Sequence, residues 1–150
     1  MDVTVKPVAG EGELFQALAV REVVFIEEQH VPEGLERDAD DARAFHVLAL
    51  SRKHAVGTGR LVPLEAAPSG EAGAWGKVGR MAVLQSHRRA GVGTRLLEAL
   101  EGEARHRGYA GIFLNAQLSA MEFYKVRGYQ PNGAVFEEAG MPHVEMKKRL

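Results

Sequence analysis

The chain has 150 residues, 45% of them hydrophobic and 26% charged, with 19 Lys and Arg against 20 Asp and Glu and no cysteine. That length suits one domain around one core, the near-neutral balance argues against a general nucleic-acid binder, and the lack of cysteine excludes disulfides, thiolate metal sites and a cysteine nucleophile. No apolar run approaches membrane-spanning length, and Met1-Asp2-Val3-Thr4-Val5-Lys6-Pro7 lacks the basic start and apolar core of an export signal, so a cytoplasmic protein with no membrane partner is expected.

In chain order, Val3 to Lys6 reads as a strand and Gly12 to Phe25 as a helix with Leu14, Leu18, Val24 and Phe25 on its apolar side. From Glu33 to Arg43, the residues Glu33, Glu36, Asp38, Asp40 and Asp41 form an acidic stretch beside Pro32 and Gly34. It is expected as a loop or short irregular helix that either faces solvent or attracts a cationic amine. Phe45 to Leu50 and Ala55 to Val62 read as a hairpin turning at Arg52-Lys53-His54, and the Ala-, Gly- and Pro-rich run from Glu65 to Gly76 as a surface connection. A strand over Lys77 to Val83, a helix over Val92 to Arg107 and a strand over Ala110 to Ala116 then make a unit whose two strands should be parallel. A last helix covers Ala120 to Arg127, with Ser119 and Glu122 spaced as a capping box and Gly128 closing it, before strands near Val135 and Val144.

The stretch from Val78 to Leu97 concentrates the chemistry. An apolar strand ending at Val83 leads into Arg88-Arg89-Ala90-Gly91-Val92-Gly93 and then into a helix. Gly91 and Gly93 let the main chain turn tightly, and the first turn of a helix exposes about four unpaired N–H groups and roughly half a positive charge. A polyphosphate placed there gains charge-assisted hydrogen bonds, with Arg88 and Arg89 positioned to add side-chain charge. Along the helix, Val92, Leu96, Leu97, Leu100 and Ala104 recur on one side, Glu101 with Arg105 and Glu103 with Arg107 are spaced as i,i+4 pairs, and Gly108 ends it. A nucleotide P-loop does not fit, because Thr94 and Arg95 follow Gly93 with no lysine; a dinucleotide fingerprint does not fit, because Leu96 stands where a third glycine is needed.

Met81-Ala82-Val83 followed by Arg88-x-x-Gly91-x-Gly93 resembles the acyl-coenzyme A loop of the GCN5-related N-acetyltransferases, the GNAT superfamily. Downstream, Leu114-Asn115-Ala116 and Ala120-Met121-Glu122-Phe123-Tyr124-Lys125-Val126-Arg127-Gly128-Tyr129 resemble the second half of that family in the same order. Val24-Phe25-Ile26-Glu27-Glu28-Gln29 with Asp38 and Asp41, and Phe136-Glu137-Glu138-Ala139-Gly140-Met141-Pro142-His143, are similar to its ElaA-like branch. One departure is Gln85, where the wider family often has proline. The resemblance implies an α/β fold (an α+β mixed sheet), with a central mixed sheet of about six to seven strands flanked by about four helices, as a single N-acetyltransferase domain over residues 1–150. It also implies acetyl-coenzyme A as the acyl donor. Arg88, Arg89, Ala90, Gly91, Val92, Gly93 and Thr94 would hold its phosphates, the main chain of Met81, Ala82 and Val83 would meet its pantetheine arm as an added strand, and Asn115 and Tyr124 would lie beside it.

Acyl transfer from a thioester to an amine needs a neutral amine, a polarised carbonyl and a proton for the departing thiolate. A tyrosine with its ordinary pKa of about 10 is protonated at neutral pH. The resemblance places Tyr124 near the coenzyme sulfur as general acid, the alternative being a core tyrosine; Asn115 either contacts the coenzyme or caps the following turn. An acceptor amine with a lysine-like pKa of about 10.4 must lose a proton, and Glu28, His46, Glu138 and His143 are all open as the base, Glu28 and His143 also as substrate contacts. His30, His54, His87 and His106 lack metal-ligand spacing, so no metal site is expected. The expected function is direct acetyl transfer to a primary amine of a small molecule or peptide, without a covalent enzyme intermediate; the alternative is a non-catalytic acyl-coenzyme A sensor or subunit. Monomer and homodimer both stay open.

Overall fold

A computed structural model of the chain describes residues 2–150. In chain order it contains β1 (Val3–Pro7), α1 (Gly10–Arg21), α2 (Glu33–Glu36), β2 (Phe45–Ser51), β3 (His54–Pro63), β4 (Trp75–Val83), α3 (Val92–His106), β5 (Gly111–Gln117), α4 (Met121–Val126), β6 (Gln130–Pro131), β7 (Phe136–Glu138) and β8 (Met141–Arg149). The strands form one eight-stranded sheet in the order β1-β2-β3-β4-β5-β8-β6, with β7 paired to β8. The pairing of β4 with β5 is parallel, as the unit read from the sequence requires, and the rest are antiparallel. The sheet exceeds the expected six to seven strands because β6 and β7 are very short additions along β8. No helix among the described residues is long and apolar enough to cross a membrane.

The two faces of the sheet are covered by different helices, and alternation along β4 shows it. Ala82 packs with Val20 and Val24 of the first helical segment, whereas Met81, one residue earlier, packs with the cluster built on α3. Leu96, Leu97, Leu100 and Ala104 of α3 are fully buried against Val47, Val78, Ile112 and Leu114. Each such leucine contributes about 1.5–3 kcal/mol. Between β2 and β3 the chain turns at Arg52 and Lys53, both at positive φ (50° and 70°), the sense of turn that matches the twist of a hairpin.

Four local expectations are corrected. The first helix runs from Gly10 to Arg21 and continues as wider π-helical turns over Glu22–Glu28, burying Ala17, Val20, Arg21 and Val24 while Leu14 and Leu18 stay half-buried. The inward turn of Arg21 shifts the apolar stripe. Glu101 does not pair with Arg105: it is buried, and accepts from the Tyr129 hydroxyl at 2.7 Å and from Lys148 Nζ at 3.0 Å, whereas Glu103 and Arg107 do pair at 2.8 Å. Ser119 lies inside a 3₁₀ turn (Leu118–Ala120), so Ala120 precedes α4 and no side chain caps it. The capping box of this chain instead joins Asp38 and Asp41 at a 3₁₀ turn over Ala39–Ala42.

The fourth correction concerns the acidic stretch, which folds inward. Arg21 donates through Nε to Glu36 Oε1 (2.5 Å) and through both terminal nitrogens to Asp41 (2.7 and 3.0 Å). Arg60 on β3 bridges Asp38 (2.7 and 2.9 Å) and Asp41 (2.8 Å), and Arg80 on β4 reaches Asp38 at 3.2 Å. Three guanidinium groups thus meet three carboxylates, and the segment after the first helix is fastened to the sheet. Burial by itself would raise the Asp41 carboxyl, but hydrogen bonds from Arg21 and Arg60 outweigh it and hold it well below the usual aspartate range. Arg60 lowers the Asp38 carboxyl in the same way.

Because both carboxyls are lowered on folding, the stability they contribute is complete above the ordinary aspartate pKa of about 3.9 and is lost as pH falls through their lower folded values. Asp41→Asn leaves two buried guanidinium groups short of a charge partner and should reduce unfolding free energy at pH 7 by about 3–5 kcal/mol. Urea titrations at pH 7 and pH 3 should also show a smaller difference in stability for this variant than for the unaltered chain.

Candidate active site

The site begins where β4 and β5 separate. Their parallel ladder runs from Trp75 opposite Gly111 to Val78 opposite Leu114 and stops, although β4 continues to Val83 and β5 to Gln117. Beyond that rung, β4 keeps its antiparallel partner β3 on one side only. The same strand carries an additional residue: Thr58 opposes Ala82 and Arg60 opposes Gly79, so Gly59 faces both Arg80 and Met81. Arg80 takes up this bulge at φ 53°, a left-handed conformation costing a non-glycine residue about 1–2 kcal/mol. Its guanidinium offsets that cost with bonds from Nε to the Glu36 carbonyl (3.0 Å) and from Nη2 to the Leu35 carbonyl (3.2 Å).

A cavity of about 320 Å³ fills the separation. The first helical segment and α2 supply one wall, β4 and β5 another, and α4 with the β7–β8 hairpin the rest. Tyr124 of α4 lines it with its ring held edge-on to Phe123 (5.0 Å) and Tyr129 (5.7 Å). Burial pushes its phenol up to about 12, so it is fully protonated at neutral pH. Asn115, the next residue of β5 after the last rung, has its Oδ1 buried with no hydrogen-bond partner. His143 of β8 is buried, stacks on Phe136 (5.9 Å) and places Nδ1 2.8 Å from the Met141 carbonyl. A carbonyl only accepts, so Nδ1 carries a proton, and Nε2 lies 3.7 Å from Glu138 Oε2.

Past the C-terminal end of β4 the glycine loop has the form its sequence suggests. Arg89 (φ 62°) and Gly91 (φ 81°) both turn left-handed, and Gly91 precedes the fifteen-residue α3. The first helical bond inside this turn runs from the Arg95 amide to the Gly91 carbonyl at 3.1 Å, which leaves the amides of Val92, Gly93 and Thr94 without intrahelical partners. A Cβ on Gly93 would come within 3.4 Å of the Phe123 ring, so α4 packs closely against this turn. Arg127 lies over Phe123 (3.9 Å) and donates to Thr94 Oγ1, bringing a cation to the start of α3.

The residues named from the sequence therefore fall into separate groups. Met81, Asn115, Tyr124, Glu138 and His143 line one cavity, and Arg89, Ala90, Gly91, Val92, Gly93 and Thr94 form the loop and the start of α3. Ala82 turns its side chain toward the first helix and stands outside the cavity lining. Arg88 is engaged: it grips Glu28 with two bonds (2.6 and 2.7 Å) and donates through Nε to the Val83 carbonyl at 2.8 Å. That pairing lowers the Glu28 carboxyl, which weakens Glu28 as a proton acceptor, and Glu28 stands outside the cavity lining. His46 is also outside, its Nε2 set against the Asp41 carbonyl at 3.0 Å. Sequence reading takes Glu36 only as one of the acidic stretch, and misses Arg80 and the pairing of the Gln29 and Gln117 amides (3.0 Å) in the lining. Only Arg80 left a trace, since Gly79-Arg80 interrupts an apolar strand where a bulge belongs.

Residues 10–150 match the family described as the acetyltransferase (GNAT) domain. The chain is 39% identical over 139 residues to a Bacillus subtilis protein named uncharacterized N-acetyltransferase YjcF, covering 92% of this chain and 94% of that one. Among solved structures it is similar to Escherichia coli ElaA (TM-score 0.82, 25% identity, 99% of this chain and 100% of that one). It is also similar to an acyl-CoA N-acyltransferase from Pseudomonas aeruginosa (TM-score 0.79, 27% identity, 99% of each chain). With a mixed sheet that opens between two parallel strands and a family match across nearly all of its length, the chain belongs to the GNAT acetyltransferase family.

Proposed function

We propose that residues 1–150 form one N-acetyltransferase domain that moves an acetyl group from acetyl-coenzyme A to a primary amine of a small molecule or peptide. The observation that carries this reading is the unpaired edge of β4 beyond Val78, bordered by a cavity on one side and a free helix N-terminus beyond Gly91. Main-chain groups of Met81 to Val83 suit an extended amide-bearing arm laid along β4 as a further strand. The amides of Val92, Gly93 and Thr94, with Arg89 and Arg127 nearby, suit a diphosphate. Acetyl-coenzyme A supplies the thioester.

Within the cavity the chain's own groups divide the proton work. His143, with Nδ1 committed to Met141, takes the amine proton on Nε2, and Glu138 stabilises the imidazolium that results. Tyr124 returns a proton to the departing sulfur. Burial makes its phenol a weaker acid, but the same water-poor surroundings make a thiolate a stronger base, so the transfer stays in balance. The new bond is carbon to nitrogen, the broken one carbon to sulfur, and the products are an acetamide and a free thiol.

Acetyl-coenzyme A at about 100 times its dissociation constant should raise the melting temperature by the equivalent of about 2.7 kcal/mol, while ATP and NAD at equal concentration leave it unchanged. The opposite ranking removes the coenzyme reading. Thiol release in the presence of a panel of primary amines then separates an enzyme from a non-catalytic coenzyme binder. Tyr124→Phe should lower kcat by about 100-fold with acetyl-coenzyme A affinity preserved, and an unaltered kcat would remove Tyr124 from the mechanism.

A further inference from the structure

We infer that Arg88 and Glu28 form a latch over the free side of β4, which the arm of the coenzyme must open before it can lie along that strand. This rests on the coenzyme reading of the site and names the contact that governs entry to it. The peptide unit joining Val83 to Leu84 shows which side the latch covers. Its amide bonds the Val56 carbonyl on β3 at 2.8 Å, and the two polar groups of a trans peptide point opposite ways. The Val83 carbonyl therefore faces away from β3, toward the side on which β4 has no strand partner after Val78. An amide-bearing arm paired with this end of β4 would donate to that carbonyl. Arg88 Nε holds the position instead, at 2.8 Å.

The guanidinium is kept there by Glu28. Its two terminal nitrogens each bond one carboxylate oxygen, at 2.6 and 2.7 Å. Glu28 ends the π-helical turns, and the next residue, Gln29, exchanges amide bonds with Gln117 at the end of β5 (3.0 and 3.5 Å). Consecutive residues of one turn are thus tied to the loop after β4 and to the end of β5, the two strands whose separation forms the cavity. The two fastenings of this helical segment differ in kind. Arg21 and Glu36 meet with side chains only 1% exposed, a fixed join, whereas the Arg88 and Glu28 side chains keep 35% and 37% of their surface in water. A pair so exposed is weak, because solvent competes for both partners, and it opens at little cost. Entry of the arm exchanges one donor for another at the Val83 carbonyl, and no covalent bond changes.

The test follows the Arg88 Nε–H resonance, identified by its loss in Arg88→Lys, through a nuclear magnetic resonance titration with coenzyme A. Coenzyme A should shift it over the same concentrations that shift the amides of Val92, Gly93 and Thr94. An unmoved Arg88 resonance at saturation would mean that the carbonyl is never exchanged, and would overturn the latch. Glu28→Gln removes the charge that holds the guanidinium and should tighten coenzyme A about two- to fivefold, because a larger share of the molecules is open. Adenosine 3′,5′-bisphosphate carries phosphates of the coenzyme without the arm, and should bind Glu28→Gln and the unaltered protein equally. Equal tightening of both ligands would assign the effect to charge near the glycine loop, and unaltered coenzyme A affinity would deny Glu28 any hold on entry; either result overturns the latch. Failure of the unaltered protein to bind coenzyme A would instead overturn the coenzyme reading on which it rests.

Discussion

Val78 and Leu114 form the last rung between two parallel strands, and every later feature of the site follows from what those strands do after it. Main-chain groups released from a ladder must find partners, and an edge left open in the middle of a sheet is as adhesive as one at its margin. On the β4 side the chain meets this with a bulge, which turns Arg80 left-handed and aims its guanidinium at α2. On the β5 side, α4 and the β7–β8 hairpin close over the opening and bring Tyr124 and His143 to it. The result is a cavity beside the free side of β4, with titratable groups in its lining.

The wall opposite β5 has little apolar material of its own. Four-residue α2 and the π-helical turns before it bury few large side chains, and Leu35 and Val23 are exposed. Charge takes over from hydrophobic packing here: Arg21, Arg60 and Arg80 hold Glu36, Asp38 and Asp41 against the sheet. Buried ion pairs contribute modestly to net stability, because desolvation offsets most of their attraction, but they are exacting about position. A wall fixed in this way keeps its shape without filling the cavity beside it.

Much of this was legible in the chain alone. The order of strands and helices around Gly91 and Gly93, the parallel β4–β5 pairing and the α3 core face all follow from spacing, because each depends on residues close together in sequence. Tyr124, Asn115 and His143 reached the same cavity through a resemblance, since no local pattern links positions on α4, β5 and β8. The acidic stretch reads either as a solvated face or as an attraction for a cationic amine, and neither reading shows that Arg21, Arg60 and Arg80 arrive from distant segments to bind three of its five carboxylates. Glu28 and Arg88 each carried a separate expectation, and neither sequence position reveals that they grip one another.

The supernumerary residue in β4 is absorbed where it occurs. Ala82 opposes Thr58 and Gly79 opposes Arg60, so with Arg80 and Met81 sharing Gly59 the alternation on either side stays in phase, Met81 toward the α3 layer and Ala82 toward the first helix. Loss of one residue here would restore a regular ladder without moving either side chain to the opposite face, but it would abolish the left-handed turn from which Arg80 reaches the carbonyls of Leu35 and Glu36. The insertion therefore serves the wall beside the cavity and not the sheet, which would pair more regularly without it.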